Sequence, residues 1–344
     1  MKGHLMRGTS TRSIARRSLI SLMACGLVFA GGCSGSGETE PGAQAGDGAA
    51  ISVEHAMGTT TIDSPPERVV ALDPSYADAA LLLGAPLVGY VQYRADPGNP
   101  FPEYLGDIDD KVADSVNVGT TAEPNLEQIL ELEPDLIISA KVRHESLYDQ
   151  LTKIAPTVFS ETTGPTWKQN IVLLGEALGR KDRAEELITS YAERAAAVGE
   201  QIRAEQPDIT YSLVRFVGED TARLYSGNSF IGEIMTDMGI PRPTGAPDST
   251  DTIFTPLSTE QILKADAGIV MVSAYTPPGG EGDSSRDQQA SYEANPLWQR
   301  LSGDVLHVDD EPFVLSVSIQ GAHASITALA EHFGVDPRND LIPE

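Results

Sequence analysis

Glu127-Gln128-Ile129-Leu130, then Glu133-Pro134-Asp135 and the apolar run Leu136-Ile137-Ile138, returns later in the chain. The second copy reads Glu260-Gln261-Ile262-Leu263, then Asp266-Ala267-Gly268 and Ile269-Val270-Met271-Val272. A short amphipathic helix followed by a buried strand is thus used twice, 133 residues apart (260 minus 127). Four identical residues of helix-forming type recur easily by chance, but the shared helix-to-strand context favours duplication. The spacing is too long for a solenoid repeat. It fits two related α/β lobes with mainly parallel sheets and a ligand cleft between them, since small ligands bind at such junctions.

Outward from the first copy, the grammar is consistent. Ile51 to His55, Gly58, and Thr59 to Ile62 read as a Gly-turned hairpin. Arg68-Val69-Val70-Ala71-Leu72 is a buried-strand run that Asp73-Pro74-Ser75 breaks, and Ala77 to Leu83 is a helix stopped by Gly84 before the apolar run Leu87 to Val91. Strand, helix and strand at this spacing make a βα unit of a parallel sheet. Asn125 can cap a helix Leu126 to Leu132, which Pro134 ends. A strand Leu136 to Ser139, a helix Ser146 to Ile154 and a strand Thr157 to Phe159 complete a first lobe over residues 51–165.

Residues 166–205 read as helical, with one break near Gly179-Arg180. Asp182 to Glu205 alone would run about 36 Å. Its alternating charges, among them Glu193 and Arg194, predict a wet surface, and its position predicts a strut between lobes. The second lobe, 206–344, opens with a strand Tyr211 to Phe216 and another at Arg223 to Tyr225. A helix Phe230 to Met238, the duplicated unit, a polar loop from Pro277 to Gln289, a helix Leu297 to Leu301, a strand Val305 to Val308 and a helix Ser318 to Phe333 follow.

The first 33 residues hold Lys2, Arg7, Arg12, Arg16 and Arg17 and no acid, then an apolar stretch from Leu19 to Ala30. That is the composition of an export signal, and the stretch is too short to span a bilayer. The ending Ala30-Gly31-Gly32-Cys33 resembles the lipobox of bacterial lipoproteins, with Ala30 where Leu is usual. Cys33 is the favoured lipidation site; Cys25, the alternative, would leave a much shorter apolar core. Residues 34–50 are mostly Gly, Ser, Glu, Ala and Pro, a flexible tether. The domain is expected outside the cytoplasm, held to the membrane only by its lipid.

Removing the signal takes five cations and no acid, leaving 19 Lys+Arg against 50 Asp+Glu, a formal charge of −31. Such a surface repels nucleic acid, so no nucleic-acid partner is expected. Six histidines are scattered without ligand spacing, so no protein-held metal is expected. The run Asp309-Asp310-Glu311 reads as a solvated loop. For a hydrolase, Ser229 in Gly227-Asn228-Ser229-Phe230-Ile231-Gly232 lacks the elbow spacing and reads as a helix cap; Ser75 with a distant His is no better supported. The chain is expected not to be an enzyme.

The cations carry the remaining chemistry. Lys141 and Arg143 follow a first-lobe strand, Arg215 ends a second-lobe strand, and Arg223 and Tyr225 lie on the next. Ligands of open α/β sheets bind at the carboxyl ends of strands, and guanidinium forks suit oxygen-rich ligands. Any one of these could instead be a surface cation paired with an acid; their convergence from both lobes favours binding at a cleft surface. Arg94 and Tyr275 join the candidate set.

Together, Arg68 to Asp73, Glu123-Pro124-Asn125-Leu126-Glu127, Pro134 to Ile138, Lys141-Val142-Arg143-His144-Glu145, Val214-Arg215-Phe216 and Gly227 to Phe230 carry a resemblance. In this order the chain resembles the ferric-siderophore binding lipoproteins of bacterial ABC importers, a family that also has haem and cobalamin carriers. The resemblance implies two α/β lobes joined by a single long helix, limited hinge motion, and iron carried by the siderophore with no cofactor of the protein's own. It implies a monomer whose exposed acids, Glu145 and Glu233, dock on ABC permease subunits. Lys141-Val142-Arg143 and Val214-Arg215-Phe216 resemble the siderophore-type members. A hydroxamate complex is the expected ligand, because it offers polarised oxygens to arginine with little negative charge of its own.

Overall fold

Residues 50–92, 100–277 and 279–343 are described in the computed structural model of the chain. The signal, most of the tether, Cys25, Cys33 and Arg94 lie outside the described residues.

Strands β1 (Ile51–His55) and β2 (Gly58–Ile62) form an antiparallel hairpin turned at Gly58, whose φ of 127° suits glycine. The first lobe then runs β3 (Val69–Ala71), α1 (Pro74–Leu82), β4 (Leu87–Tyr90), α2 (Asp109–Val112), β5 (Val116–Asn117), α3 (Leu126–Glu131), β6 (Leu136–Ala140), α4 (Lys141–His144), α5 (Tyr148–Leu151) and β7 (Thr157–Ser160). Its sheet has the order β5-β4-β3-β6-β7, parallel throughout. All of β3 and β6 is buried, as continuous apolar runs in a parallel sheet require.

Helices α6 (Trp167–Ala177) and α7 (Lys181–Glu205) follow, separated at Gly179, where φ is +67°. The second lobe comprises β8 (Tyr211–Phe216), β9 (Ala222–Tyr225), α8 (Phe230–Asp237), β10 (Phe254–Leu257), β11 (Ile269–Ala274), α9 (Gly280–Glu293), β12 (Asp304–His307) and α10 (Ile319–Phe333). Its order is β10-β9-β8-β11-β12. Strand β11 is parallel to β8 and β12, whereas β9 is antiparallel to both its neighbours. The second sheet is therefore mixed.

The repeated phrase marks equivalent places. Strands β6 and β11 are each fourth in a five-stranded order, Ile129 and Ile262 are fully buried, and Leu130 and Leu263 are both exposed. The preceding turns differ: α3 is α-helical, but Thr259–Ala265 is a 3₁₀ helix. Asn125 accepts from the N–H groups of Glu127 and Gln128, a side-chain cap that Ser258 does not supply.

Four expectations need correction. Pro277 to Gln289 is not a loop, since α9 occupies most of it. The helix expected over Ser146 to Ile154 is reduced to the end of a 3₁₀ turn, Glu145–Leu147, and the short α5, directly after α4. Between α4 and that turn His144 bends the chain with φ −131°, its buried imidazole drawn inward between Ser139 Oγ (2.6 Å) and the Thr121 carbonyl (2.7 Å). Leu297 to Leu301 shrinks to a 3₁₀ turn, Trp298–Arg300. Arg194 is not wet but fully buried.

The main core is shared by both lobes. Val69, Leu136 and Ile138 of the first sheet, Tyr211, Leu213, Ile269 and Met271 of the second, Leu187, Tyr191 and Val198 of α7, and Ile326 and Leu329 of α10 belong to one apolar cluster. Two smaller clusters lie apart from it, one around Val214, Val270 and Trp298, the other around Val70, Ile137 and Phe159. At Gly199 of α7, an added Cβ would overlap the backbone carbonyl of Met238 just past α8. Glycine lets the two segments touch there.

Candidate functional site

A cavity of about 590 Å³ is lined by both lobes. The first contributes Asp73, Gln92, Thr120, Thr121 and Arg143; the second contributes Arg215, Arg223, Tyr225, Phe230, Tyr275 and the segment Glu311 to Val317 apart from Pro312. Five of the expected site residues thus meet: Arg143, Arg215, Arg223, Tyr225 and Tyr275. Lys141 does not line the cavity and instead pairs with Glu161 at 3.2 Å.

None of the three arginines faces the cavity without a partner acid. Arg215 is buried, donating from Nε (2.6 Å) and Nη2 (2.5 Å) to Asp310 and from Nη1 to the Tyr225 hydroxyl at 3.2 Å. Ser273 Oγ also donates to Asp310, and the Tyr275 ring lies 5.4 Å from the Arg215 guanidinium carbon. Burial alone would weaken the charge on Arg215, but Tyr225 and Asp310 outweigh it and hold its pKa above the usual arginine value. Asp310 is therefore no solvated loop residue; it is a buried partner, which corrects the reading of Asp309-Asp310-Glu311.

Arg143 is placed differently. Its side chain is 45% exposed and, among the described residues, donates only from Nε to Asp73, at 3.0 Å. Asp73 is buried, caps α1 by accepting from the Ser75 N–H, and also accepts from Ser75 Oγ at 2.6 Å. Arg223 bonds Glu219 and lies with its guanidinium carbon 4.5 Å from the Phe254 ring centroid.

Several lining residues escaped the sequence reading. Asp73 lies just past the carboxyl end of β3, as Arg143 lies just past that of β6 and Arg215 near that of β8, so the same rule could have found it. The segment Glu311–Leu315 is a single π-helical turn, followed by Val317 at φ +47°. A β-branched residue in the left-handed region is strained, a feature that collects at binding walls and that no motif announces.

The remaining candidates lie outside the cavity. Glu145 is exposed, whereas Glu233 is half-buried and pairs with Lys168 at 3.1 Å. Lys168 also holds Asp237, which accepts from the Tyr191 hydroxyl. The hydrolase serines are otherwise engaged: Ser229 caps α8 and donates to the Ser226 carbonyl, and Ser75 donates to Asp73. Among the described residues no group of three or more His, Cys, Asp or Glu is arranged to hold a metal ion.

Comparison with known proteins agrees with this geometry. The chain is 31% identical over 326 residues to "Probable siderophore-binding lipoprotein YfiY" of Bacillus subtilis, covering 92% of this chain and 97% of that one. It is 30% identical over 329 residues to the Fe(3+)-citrate-binding protein YfmC of the same organism, covering 93% and 96%. Among solved structures, Staphylococcus aureus SirA complexed with staphyloferrin B superposes with a TM-score of 0.76 at 32% identity, over 83% of this chain and 99% of that one. These relatives are binding proteins, not enzymes. Residues 69–302 match the family described as periplasmic binding protein, and the chain belongs to that family.

Proposed function

We propose that this protein captures a ferric siderophore in the cleft between its lobes and delivers it to an ABC permease for iron uptake. The observation that carries the reading is the cavity itself: arginines and tyrosines from both lobes converge on a space of about 590 Å³, the size of a small-molecule site. The names of YfiY, YfmC and the SirA complex support the same ligand class. Iron arrives inside its chelator, so the protein needs hydrogen-bond donors for the chelator's oxygens and no ligand set of its own. The protein works as a monomer, anchored outside the cytoplasm by a lipid on Cys33, and Glu145 and Glu233 dock it on the permease.

Two ligand types compete. The charge of −31 on the chain after Cys33 is counted in favours weakly charged hydroxamate complexes. The name of YfmC favours an anionic carboxylate complex, and the cleft arginines suit carboxylates equally well. Tryptophan fluorescence decides between them. Trp167 packs against Phe230, a cavity residue, with ring centroids 5.3 Å apart. A ferric complex in the cleft quenches it with roughly micromolar affinity or better. Ferric hydroxamate, ferric citrate, a ferric catecholate, haem and cobalamin are titrated in parallel. No response to any of the three ferric complexes would overturn the proposal.

A further inference from the structure

Arg143 and Arg215 face one cavity from opposite lobes, each bonded to an aspartate, and the two bonds are unlike. Arg215 is 7% exposed and held at three nitrogens, by Asp310 twice and by Tyr225 once. If it left, buried Asp310 would keep only the Ser273 hydroxyl among the described residues. Arg143 gives Asp73 a single nitrogen, and its terminal nitrogens have no partner among the described residues. If Arg143 turned away, Asp73 would keep two donors, the Ser75 N–H at 3.1 Å and Ser75 Oγ at 2.6 Å. Asp73 also lines the cavity, so its charge faces whatever binds there.

We propose that Asp73 is a specificity-determining residue, an internal counter-charge that competes with an anionic ferric complex for Arg143. This inference rests on the capture reading above and deepens it. Arg215 is the fixed donor and Arg143 the recruited one. A carboxylate-bearing complex takes Arg143 from Asp73 and leaves a capped aspartate behind. A neutral complex gains nothing from that exchange, and a cationic one is helped by the charge of Asp73. The arrangement sets a bias: while Nε stays on Asp73, a ligand oxygen reaches only the terminal nitrogens of Arg143 and meets a charge already partly neutralised.

The test compares ferric citrate with ferrioxamine B, a cationic ferric hydroxamate, on wild type and Asp73→Asn. Asparagine is as good a helix cap as aspartate, so α1 keeps its start. Ferric citrate is expected to bind the variant at least about five-fold tighter, the scale of a direct pairwise coupling, and ferrioxamine B no tighter. In an Arg143→Ala background the gain disappears. An unchanged or weakened affinity for ferric citrate, or an equal gain without Arg143, overturns the inference. A second measurement needs no variant. On adding gallium citrate to wild type, the Nε–H resonance of Arg143 shifts and that of Arg215 stays. If Arg143 also stays while gallium citrate binds, the exchange does not occur and the inference falls. Wild type that binds no ferric complex removes the capture reading itself, whereas wild type that binds beside an unmoved Asp73→Asn removes only this one.

Discussion

Asp310 holds Arg215 through two nitrogens, Nε and Nη2, in a pair whose side chains are 9% and 8% exposed. Breaking a buried pair from one side strands a charge, at a cost of about 3–5 kcal/mol. Arg215→Ala should therefore lower the stability of the whole fold, and its lost affinity must be measured per folded molecule. That corrects the expectation of a cleft-surface residue. Arg143→Ala should cost under about 1 kcal/mol in stability, because Arg143 is itself half in solvent and the buried Asp73 keeps both Ser75 donors. Its ligand affinity should fall by about 1.5–3 kcal/mol, the range for a hydrogen bond to a charged group. Urea unfolding and ligand titration of both variants separate the two outcomes.

Gly199→Ala should destabilise the protein by about 1–3 kcal/mol, the usual cost of overpacking. The added methyl has no room beside the Met238 carbonyl, and backbone cannot rotate away as a side chain could. A urea midpoint equal to wild type would show that α7 and the end of α8 can part freely.

Stability should fall on acidification below about pH 6.5. His323 is buried against Arg194, and burial first, then that positive charge, push its pKa down from 6.5 to about 4. Arg194 itself is pushed down to about 10 by burial, and its bonds run to His323, Thr327, Asn339 and the Pro337 carbonyl, among which there is no carboxylate. Because the folded pKa lies below the unfolded one, the unfolded chain binds the extra proton. The stabilisation is full above pH 6.5 and fades toward pH 4, by about 1.4 kcal/mol per unit and about 3 kcal/mol in all. Unfolding curves at pH 7.5 and 4.5 measure it, and His323→Asn should flatten the difference.

Glu145→Ala and Glu233→Ala should impair iron uptake by cells without changing ligand affinity in solution. Cys33→Ala should release the protein from membranes, while Cys25→Ala leaves it bound. Retention of the Cys33 variant would show that the anchor lies elsewhere.

The parts of the fold that advertise themselves are those in which apolar residues recur at regular spacing. Ile129 and Ile262 disclose two lobes because burial at matching positions preserves a pattern. Helix α9 hides because it has no such pattern: only Gly282, Ser285 and Tyr292 of it are buried. It is fastened by polar bonds instead. Gln288 accepts from the N–H groups of Val217 and Gly218 and donates to the Glu219 carbonyl, while the Tyr292 hydroxyl donates to the Leu257 carbonyl. Arg194 hid for the converse reason, since a charge in a helical pattern ordinarily marks the solvent side. In the site, residue types pointed to the arginines, but nothing local in the chain pairs Arg215 with Asp310, 95 residues away.

Because the main apolar cluster draws on both sheets and on α7 and α10, neither lobe owns a complete interior. Cutting the chain at Pro207 and expressing the halves separately should yield two sticky, poorly ordered fragments that regain structure only when mixed. The two copies of the repeated unit should then fold as halves of a single event.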